Sequence, residues 1–192
     1  MAVAEGNYGR LGASQQGRYS NANARVQLDP SVWETPGAMP EISPSPDFPA
    51  NIGRPMYDRS MMLQAWGTYG ILWPVVHQQL GVSPDLGRGK VSVVPQVPAG
   101  QPSVAGQNIM LGKGSADVAA SASGKQLRTD VKLTGARLAL TVGAVLPAGA
   151  TVKSVSLNGH SASYDLVQTT RGTEVHVSVS SANASSLLIT LN

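Results

Sequence analysis

The stretch at residues 151–168, TVKSVSLNGHSASYDLVQ, has the signature of a β-hairpin. Asn158-Gly159 stands between two short runs, VKSVSL and HSASYDLV. Asn-Gly is the pair most favoured in a two-residue type I′ turn, because both central residues of that turn need positive φ. The stretch therefore predicts two antiparallel strands joined at this dipeptide.

The rest of residues 90–192 contains further short runs of the kind that form strands. Short runs of period two are bounded by Gly, Pro or Ser, as the strands of an antiparallel sheet are. In chain order the runs are KVSVVP, QNIMLG, SADVAAS, QLRTDVKL, RLALTVG, TVKSVSLNG, ASYDLVQ, TEVHVSVS and SSLLITLN. Together they predict an antiparallel β-sandwich of roughly seven to nine strands.

The first part of the chain has two helical patterns, separated by a Pro-rich loop at 36–56. From Asn7 to Leu28, large side chains recur at steps of three and four residues, which is the period of an amphipathic helix. From Asp58 to Leu80 the sequence is apolar on nearly every face, so this helix must be surrounded by protein. It should end at Gly81, with Pro84 shortly behind.

These patterns meet at a predicted linker near residues 81–90. The expected fold class is α+β, with a short N-terminal helical segment (two helices) followed by an antiparallel β-sandwich. The expected domains are residues 1–84 for the helical segment and residues 85–192 for the sandwich.

The charge pattern argues against nucleic acid as a partner. The formal net charge is +3, but the fourteen Lys and Arg residues are spread along the chain without a run. Binding to nucleic acid would need a basic patch or stripe. Only 13% of the residues are charged, while 42% are hydrophobic, so the sequence predicts a folded protein with a polar, largely uncharged surface.

A membrane partner is not expected either. No formal charge occurs between Arg59 and Asp85, but polar side chains and the mid-segment Pro74 interrupt the apolar run. The N-terminus, MAVAEGNYGRLG, lacks a charged region followed by an apolar one, so this chain has no secretory signal. We expect a soluble protein and assign no compartment.

The sequence predicts neither a metal nor a cofactor. It contains no cysteine, which excludes disulfides, thiol catalysis and cysteine-ligated metals. His77, His160 and His176 are isolated and lack the spacing of metal ligands, so we expect them to be structural. A serine nucleophile elbow and a phosphate-binding glycine loop are both absent from the sequence.

Glu41 is the sharpest catalytic candidate. In PGAMPEISP, residues 36–44, it lies between Pro40 and Pro44 on a segment that proline makes stiff and extended. Such a loop can hold a general base over a sugar-binding pocket, although a solvated loop glutamate is the simpler interpretation. Asp47 and Asp58 are further carboxylates, which a turn and a helix N-terminus explain equally well.

The tryptophans offer flat faces on which sugar rings can stack. Trp66 and Trp73 lie in the apolar helix and are expected in a core, whereas Trp33 is the better candidate for an exposed platform. Arg54 and Arg59 could bind a substrate hydroxyl or carboxylate, but pairing with nearby acids explains them as well.

Four segments together resemble the C-terminal end of a family of glycosidases. They are GASQQGRYSNANAR (12–25), PGAMPEISP (36–44), DRSMMLQAWGTYGILWPVVHQQLGVSPDLGRGKVSVVPQVP (58–98) and LPAGATVKSVSLNG (146–159). In this order they are similar to the last two barrel helices and C-terminal β-sandwich of (α/α)6-barrel glycoside hydrolases of the glucoamylase-like and glycogen-debranching-like kind.

The resemblance implies a carbohydrate substrate and a catalytic role for one residue. In that family a G-x-M-P-E loop before the last barrel helix carries the general base of an inverting mechanism, and Glu41 matches that position. The following family helix matches residues 63–69, LQAWGTY, which include Trp66. We therefore name Glu41 as the candidate catalytic residue and Trp33, Arg59 and Trp66 as candidate substrate-binding residues.

The length of the chain limits what it can do alone. A barrel of this family needs about a dozen helices, and the family's general acid would lie upstream of the matched segments. We therefore expect a glycoside hydrolase-like fragment completed by a homo-oligomer or by a missing N-terminal barrel partner, since the apolar helix needs cover. The alternatives are a non-catalytic carbohydrate-binding or assembly module, and a fragment with new hydrolytic chemistry at a subunit interface.

Overall fold

A computed structural model describes residues 1–28, 69–179 and 183–192. Within these ranges the protein is α+β, with a few short helices and two largely antiparallel sheets. The predicted class is thus confirmed at this level. The helical turns are not all N-terminal, because a 3₁₀ turn at Leu86–Arg88 lies between the first two strands.

The N-terminal region forms two helices where the sequence predicted one. These are α1 (Ala2–Asn7) and α2 (Gln16–Leu28). The prediction of a continuous helix from Asn7 is wrong because α1 closes there: the Tyr8 amide donates back to Glu5 O, and Gly9 adopts a φ of 69°. A left-handed residue cannot continue a right-handed helix.

The described part of the second predicted helix is helical and ends where expected. It comprises α3 (Tyr69–Trp73) and a π-helical turn (Pro74–Gln79). Pro74 has no N–H for the bond to the carbonyl four residues earlier, and the turn widens, with Leu80 N donating to Val75 O at 2.9 Å. Gly81 has a φ of 67° and redirects the chain into the first strand.

The strands form a five-stranded and a six-stranded sheet, in the orders β1-β2-β6-β10-β9 and β3-β4-β5-β11-β7-β8. Each run predicted from the sequence contains or overlaps one strand, and β1 and β8 are additional. In chain order the strands are β1 (Val82–Asp85), β2 (Lys90–Val93), β3 (Ser103–Leu111), β4 (Gly114–Ser123), β5 (Gln126–Thr134), β6 (Ala139–Val145), β7 (Val152–Leu157), β8 (His160–Ser161), β9 (Asp165–Thr169), β10 (Gly172–Val179) and β11 (Ala184–Leu191).

Two details differ from the sequence prediction. Residues 81–90 are not a linker, because β1 and β2 pair antiparallel from Val82 with Val93 to Asp85 with Lys90. The sheets are also not wholly antiparallel, since β2 and β6 run parallel. Parallel neighbours need a crossover connection, and here β3, β4 and β5 of the other sheet provide it.

The Asn158-Gly159 hairpin is confirmed. Asn158 and Gly159 have φ values of 52° and 83°, and Leu157 pairs with His160 across the turn. The Asn158 side chain also accepts a hydrogen bond from Ser186 N at 2.8 Å, which ties the turn to β11. Both central residues thus have the left-handed backbone of a type I′ turn.

The two sheets share one hydrophobic core, in a sandwich-like arrangement. Inward-facing residues of both sheets form a single cluster, with Val93, Val142 and Val175 on one side and Val118, Leu187 and Ile189 on the other. The Thr129 hydroxyl of β5 bridges the sheets by donating to Gly143 O of β6 at 2.8 Å. Leu80, at the end of the π-helical turn, belongs to the same cluster, so the helical region packs against the sheets through this side chain.

Candidate functional site

The four residues named as site candidates from the sequence lie outside the described residues. Trp33, Glu41, Arg59 and Trp66 all fall within residues 29–68. Their roles stay predictions. Trp73 is described, and its expected place in a core is wrong: 38% of it is exposed, because it lines a cavity.

A network of buried amides joins the N-terminal helices to the π-helical turn. Gln78 Nε2 donates to Val3 O and to Asn7 Oδ1, both at 2.8 Å. Gln16 Nε2 donates to Gln78 Oε1 at 2.6 Å, and Gln16 Oε1 accepts from Gln79 at 3.0 Å. Buried amides are tolerated when they are hydrogen-bonded in this way, so the network holds the turn in one position.

Arg171 joins that turn to the five-stranded sheet. It lies between β9 and β10, and its guanidinium donates to Gln78 O at 3.4 Å and Val94 O at 3.2 Å. Nε and Nη2 both donate to Glu174 Oε1, at 3.1 and 2.8 Å. All three guanidinium nitrogens are thus engaged within the protein, and Arg171 acts as a structural clamp.

Glu174 is a buried carboxylate, and both of its oxygens have hydrogen-bond partners. Thr169 Oγ1 donates to Oε1 at 2.8 Å, and the ring Nε2 of His176 lies 2.8 Å from Oε2. Burial by itself raises the pKa of Glu174. The His176 hydrogen bond, the Arg171 charge and the hydrogen bonds from Thr169 and Arg171 outweigh burial, so the pKa lies below its ordinary value of 4.5. Glu174 is therefore ionised at neutral pH.

An aromatic ladder runs along α3 and the π-helical turn. Tyr69, Trp73 and His77 are spaced four residues apart, so they share one helix face. The ring centroids of Tyr69 and Trp73 are 5.1 Å apart, and those of Trp73 and His77 are 4.0 Å apart. His77 is fixed from its other side, because its Nδ1 lies 2.6 Å from Val82 O.

Trp73 and His77 of the ladder line one cavity together with the ion pair of Arg171 and Glu174, and we call this cavity the histidine cleft. Its volume is about 570 Å³, and it lies between the helical region and the five-stranded sheet. Its lining includes Trp73 and His77 from the helical side, Ser83 and Ser92 from the β1–β2 hairpin, and Arg171, Glu174 and His176 from the β9–β10 region.

The chemistry of the cleft is polar but electrically balanced. The charges of Arg171 and Glu174 neutralise each other through their ion pair at 2.8 Å, and the other polar groups of the described lining are hydroxyls, amides and imidazoles. Among the described residues, no group of three or more His, Asp or Glu side chains could hold a metal ion. The arrangement suits a neutral ligand with hydrogen-bonding groups and an apolar face.

The sequence contains a signal for the contact between Glu174 and His176. In RGTEVH, residues 171–176, Glu174 and His176 are two positions apart on a strand and must share a face. That spacing predicts the contact of Glu174 with His176. It does not predict that His77 lines the same cavity.

Within the described residues, none of the helices has the length and apolar character needed to cross a bilayer.

The comparisons with known proteins give only a distant structural likeness. No protein-family model matches the sequence, and no curated protein is similar to it. Among solved structures, the chain is similar to a GH127 β-arabinofuranosidase, with a TM-score of 0.39 and 11% sequence identity. The alignment covers 92% of this chain and 27% of that one, so this chain spans about a quarter of that protein's length.

Proposed function

We propose that this chain binds a neutral carbohydrate in the histidine cleft. The observation that carries the proposal is that the stacked rings of Trp73 and His77 and a set of uncharged polar groups line the same cavity. Sugars have apolar ring faces and hydroxyl edges, and concave sites with aromatic walls and a few polar groups suit such ligands. This corresponds to a non-catalytic carbohydrate-binding module built on the sandwich.

Trp73 supplies the principal apolar wall in this proposal. Replacing Trp73 by alanine should weaken sugar binding roughly tenfold, a loss of about 1.4 kcal/mol, which is the scale of one lost aromatic contact. Titration calorimetry with methyl glycosides of common hexoses and pentoses would measure the effect.

Tyr164→Ala is the matched control for Trp73→Ala. Tyr164 is 38% exposed, like Trp73, but it does not line the cleft. Equal losses in the two variants, or binding that neither change affects, would contradict a sugar site against Trp73.

A second candidate function is hydrolysis of glycosidic bonds, with Glu41 as the general base. Its support is the Pro-bracketed loop PGAMPEISP and the resemblance of the surrounding segments to (α/α)6-barrel glycosidases. An inverting mechanism needs a second carboxyl group at roughly 6.5–9.5 Å from the base. In this proposal a homo-oligomer or a barrel partner provides that group, and Trp33, Arg59 and Trp66 contact the sugar.

The exposed apolar side chains of the α3 region support association. Tyr69 and Leu72 are half exposed, and Val75 is 40% exposed. Adjacent apolar residues on a protein surface commonly mark an interaction site.

The hydrolysis proposal predicts an active oligomer that Glu41→Gln inactivates. Removing the general base should lower hydrolysis of aryl α- and β-glycosides by roughly 10²- to 10⁴-fold. The assay is run on fractions whose mass is measured by light scattering, so that activity and oligomeric state refer to the same species. An inactive wild type, or a Glu41→Gln variant of equal activity, would exclude hydrolysis by Glu41 in this chain.

A further inference from the structure

The two histidines of the cleft are each held through one ring nitrogen only. His77 contacts Val82 O through Nδ1 at 2.6 Å, and His176 contacts Glu174 Oε2 through Nε2 at 2.8 Å. Within residues 1–28, 69–179 and 183–192, the second nitrogen of each ring has no hydrogen-bond partner, and neither is a buried atom. Both residues line the histidine cleft, and each ring has a second nitrogen that no described residue engages.

The partner of His77 determines which of its nitrogens carries the proton. A backbone carbonyl such as Val82 O accepts hydrogen bonds and cannot donate one. Nδ1 must therefore carry the hydrogen, and in the neutral ring Nε2 is left with a free lone pair. The stack against Trp73, with centroids 4.0 Å apart, fixes the orientation of the ring.

The same reasoning applies to His176 with the nitrogens exchanged. Glu174 is ionised and already accepts from Thr169 and Arg171, so its Oε2 is an acceptor toward the ring. Nε2 of His176 is then the donor, and Nδ1 of the neutral ring has the free lone pair. In both rings the internal acceptor thus fixes the hydrogen on one nitrogen, and the other nitrogen of the neutral ring is left as a hydrogen-bond acceptor.

We propose that His77 and His176 are specificity-determining residues, which present two acceptor nitrogens to the cleft and select ligands with hydroxyl donors. This inference rests on the proposed carbohydrate function, because it assigns the groups that recognise the sugar. A hydroxyl donates to an imidazole lone pair, whereas an ether or a carbonyl cannot. The cleft should therefore prefer polyhydroxylated ligands over analogues in which fluorine replaces a hydroxyl, because fluorine is close to hydroxyl in size but cannot donate a hydrogen bond.

The surrounding charges favour this interpretation over recognition of an anion. Of the residues described, Arg171 is the cation that lines the cleft, and its three guanidinium nitrogens donate to Glu174, Gln78 O and Val94 O. The carboxylate of Glu174 would in addition repel a ligand of the same sign.

The first test measures the tautomers directly and needs no ligand. Long-range ¹H–¹⁵N correlation spectra at pH 8, above the usual titration range of imidazole, distinguish the two neutral forms of each ring. We expect the Nδ1–H form for His77 and the Nε2–H form for His176. The opposite form in either residue would overturn the inference, whatever the result of sugar titrations.

The second test uses paired amide substitutions that retain one nitrogen position each. Asparagine places its amide near the Nδ1 position and glutamine places it near Nε2. His77→Asn and His176→Gln therefore keep the internal contact and remove the acceptor that faces the cleft. His77→Gln and His176→Asn keep the cleft-facing group and remove the internal contact.

The two pairs of variants should differ in what they lose: the first pair loses affinity, and the second pair loses stability. His77→Asn and His176→Gln should keep the melting temperature of the wild type and bind the best methyl glycoside roughly three- to tenfold more weakly. The reversed pair should melt roughly 2–4 °C lower, the effect of one lost hydrogen bond in a domain of this size, with affinity closer to wild type.

Different results would contradict the carbohydrate function and the role of the two histidines. If no methyl glycoside binds the wild type while the tautomers and melting temperatures are as expected, the carbohydrate function is wrong and the acceptor assignment stands. If sugars bind but all four variants lose affinity and stability together, the histidines are structural and the selection by hydroxyl donors is overturned.

Discussion

Replacing Arg171 by alanine should lower the free energy of unfolding by about 3–5 kcal/mol, because it leaves a buried carboxylate without its cation. The Glu174 side chain is only 5% exposed and that of Arg171 only 17%, so water cannot replace the lost charge. The substitution also removes the donors to Gln78 O and Val94 O, which join the helical region to the sheet. Urea unfolding followed by circular dichroism would measure the difference.

Arg88→Ala is the control for this prediction. Arg88 forms an ion pair with Asp85 at 3.0 Å, also three positions away in sequence, but 79% of its side chain is exposed. Exposed pairs contribute about 0–1 kcal/mol, so Arg88→Ala should leave stability nearly unchanged. Similar effects of the two substitutions would show that Arg171 is not a clamp.

The loss of stability in Arg171→Ala should depend on pH, because the pKa of Glu174 is lowered in the folded protein. Because the folded pKa is lowered, this group stabilises the fold above its ordinary value of 4.5, and the contribution is lost as pH falls through the lower folded value. In Arg171→Ala the carboxylate lacks its cation, and protonation relieves the cost of burying it. The difference between wild type and variant should therefore shrink as the pH is lowered below 4.5.

Replacing Gly81 by alanine should be the second severe substitution, with a loss of about 3 kcal/mol or more. Gly81 has a φ of 67°, and a Cβ there would overlap the backbone carbonyl of Val94. Left-handed backbone costs roughly 1–2 kcal/mol for an L-residue, and overpacking against a rigid neighbour adds about 1–3 kcal/mol. The same urea unfolding experiment would measure the loss.

Gly89→Ala separates backbone strain from the steric overlap. Gly89 has nearly the same φ, 65°, but nothing lies within 4 Å of a Cβ at this position. Gly89→Ala should therefore show only the strain of about 1–2 kcal/mol. If both variants lose the same stability, the close approach of Gly81 to Val94 has no energetic role.

The strands were predictable because their determinants are local. Asn158-Gly159 specifies its turn through the backbone preferences of two residues, and period-two runs such as TEVHVSVS place alternate side chains on one face. Gly81 likewise ended its helix where the sequence indicated. The helix predicted from Asn7 was wrong because a glycine that can adopt left-handed backbone at position 9 outweighed the apolar spacing.

Other features depended on contacts between distant segments. The parallel pairing of β2 with β6 exists because the chain builds three strands of the other sheet before it returns. Residues 81–90 look like a linker because their Gly and Pro content is that of a loop, yet pairing with a neighbouring strand makes them an edge of the sheet. Local composition contains no information about such partners.

By itself, the sequence determined the α+β class, nearly all the strands, the Asn158 turn and the proximity of Glu174 to His176, because each follows from residues within a few positions. Only the tertiary structure decided that His77 lines the same cavity as His176, and that a backbone carbonyl orients one ring and a carboxylate the other. Such pairings depend on how the helical region packs on the five-stranded sheet. That packing is the sum of many weak contacts between segments far apart in the chain, and no local pattern encodes it.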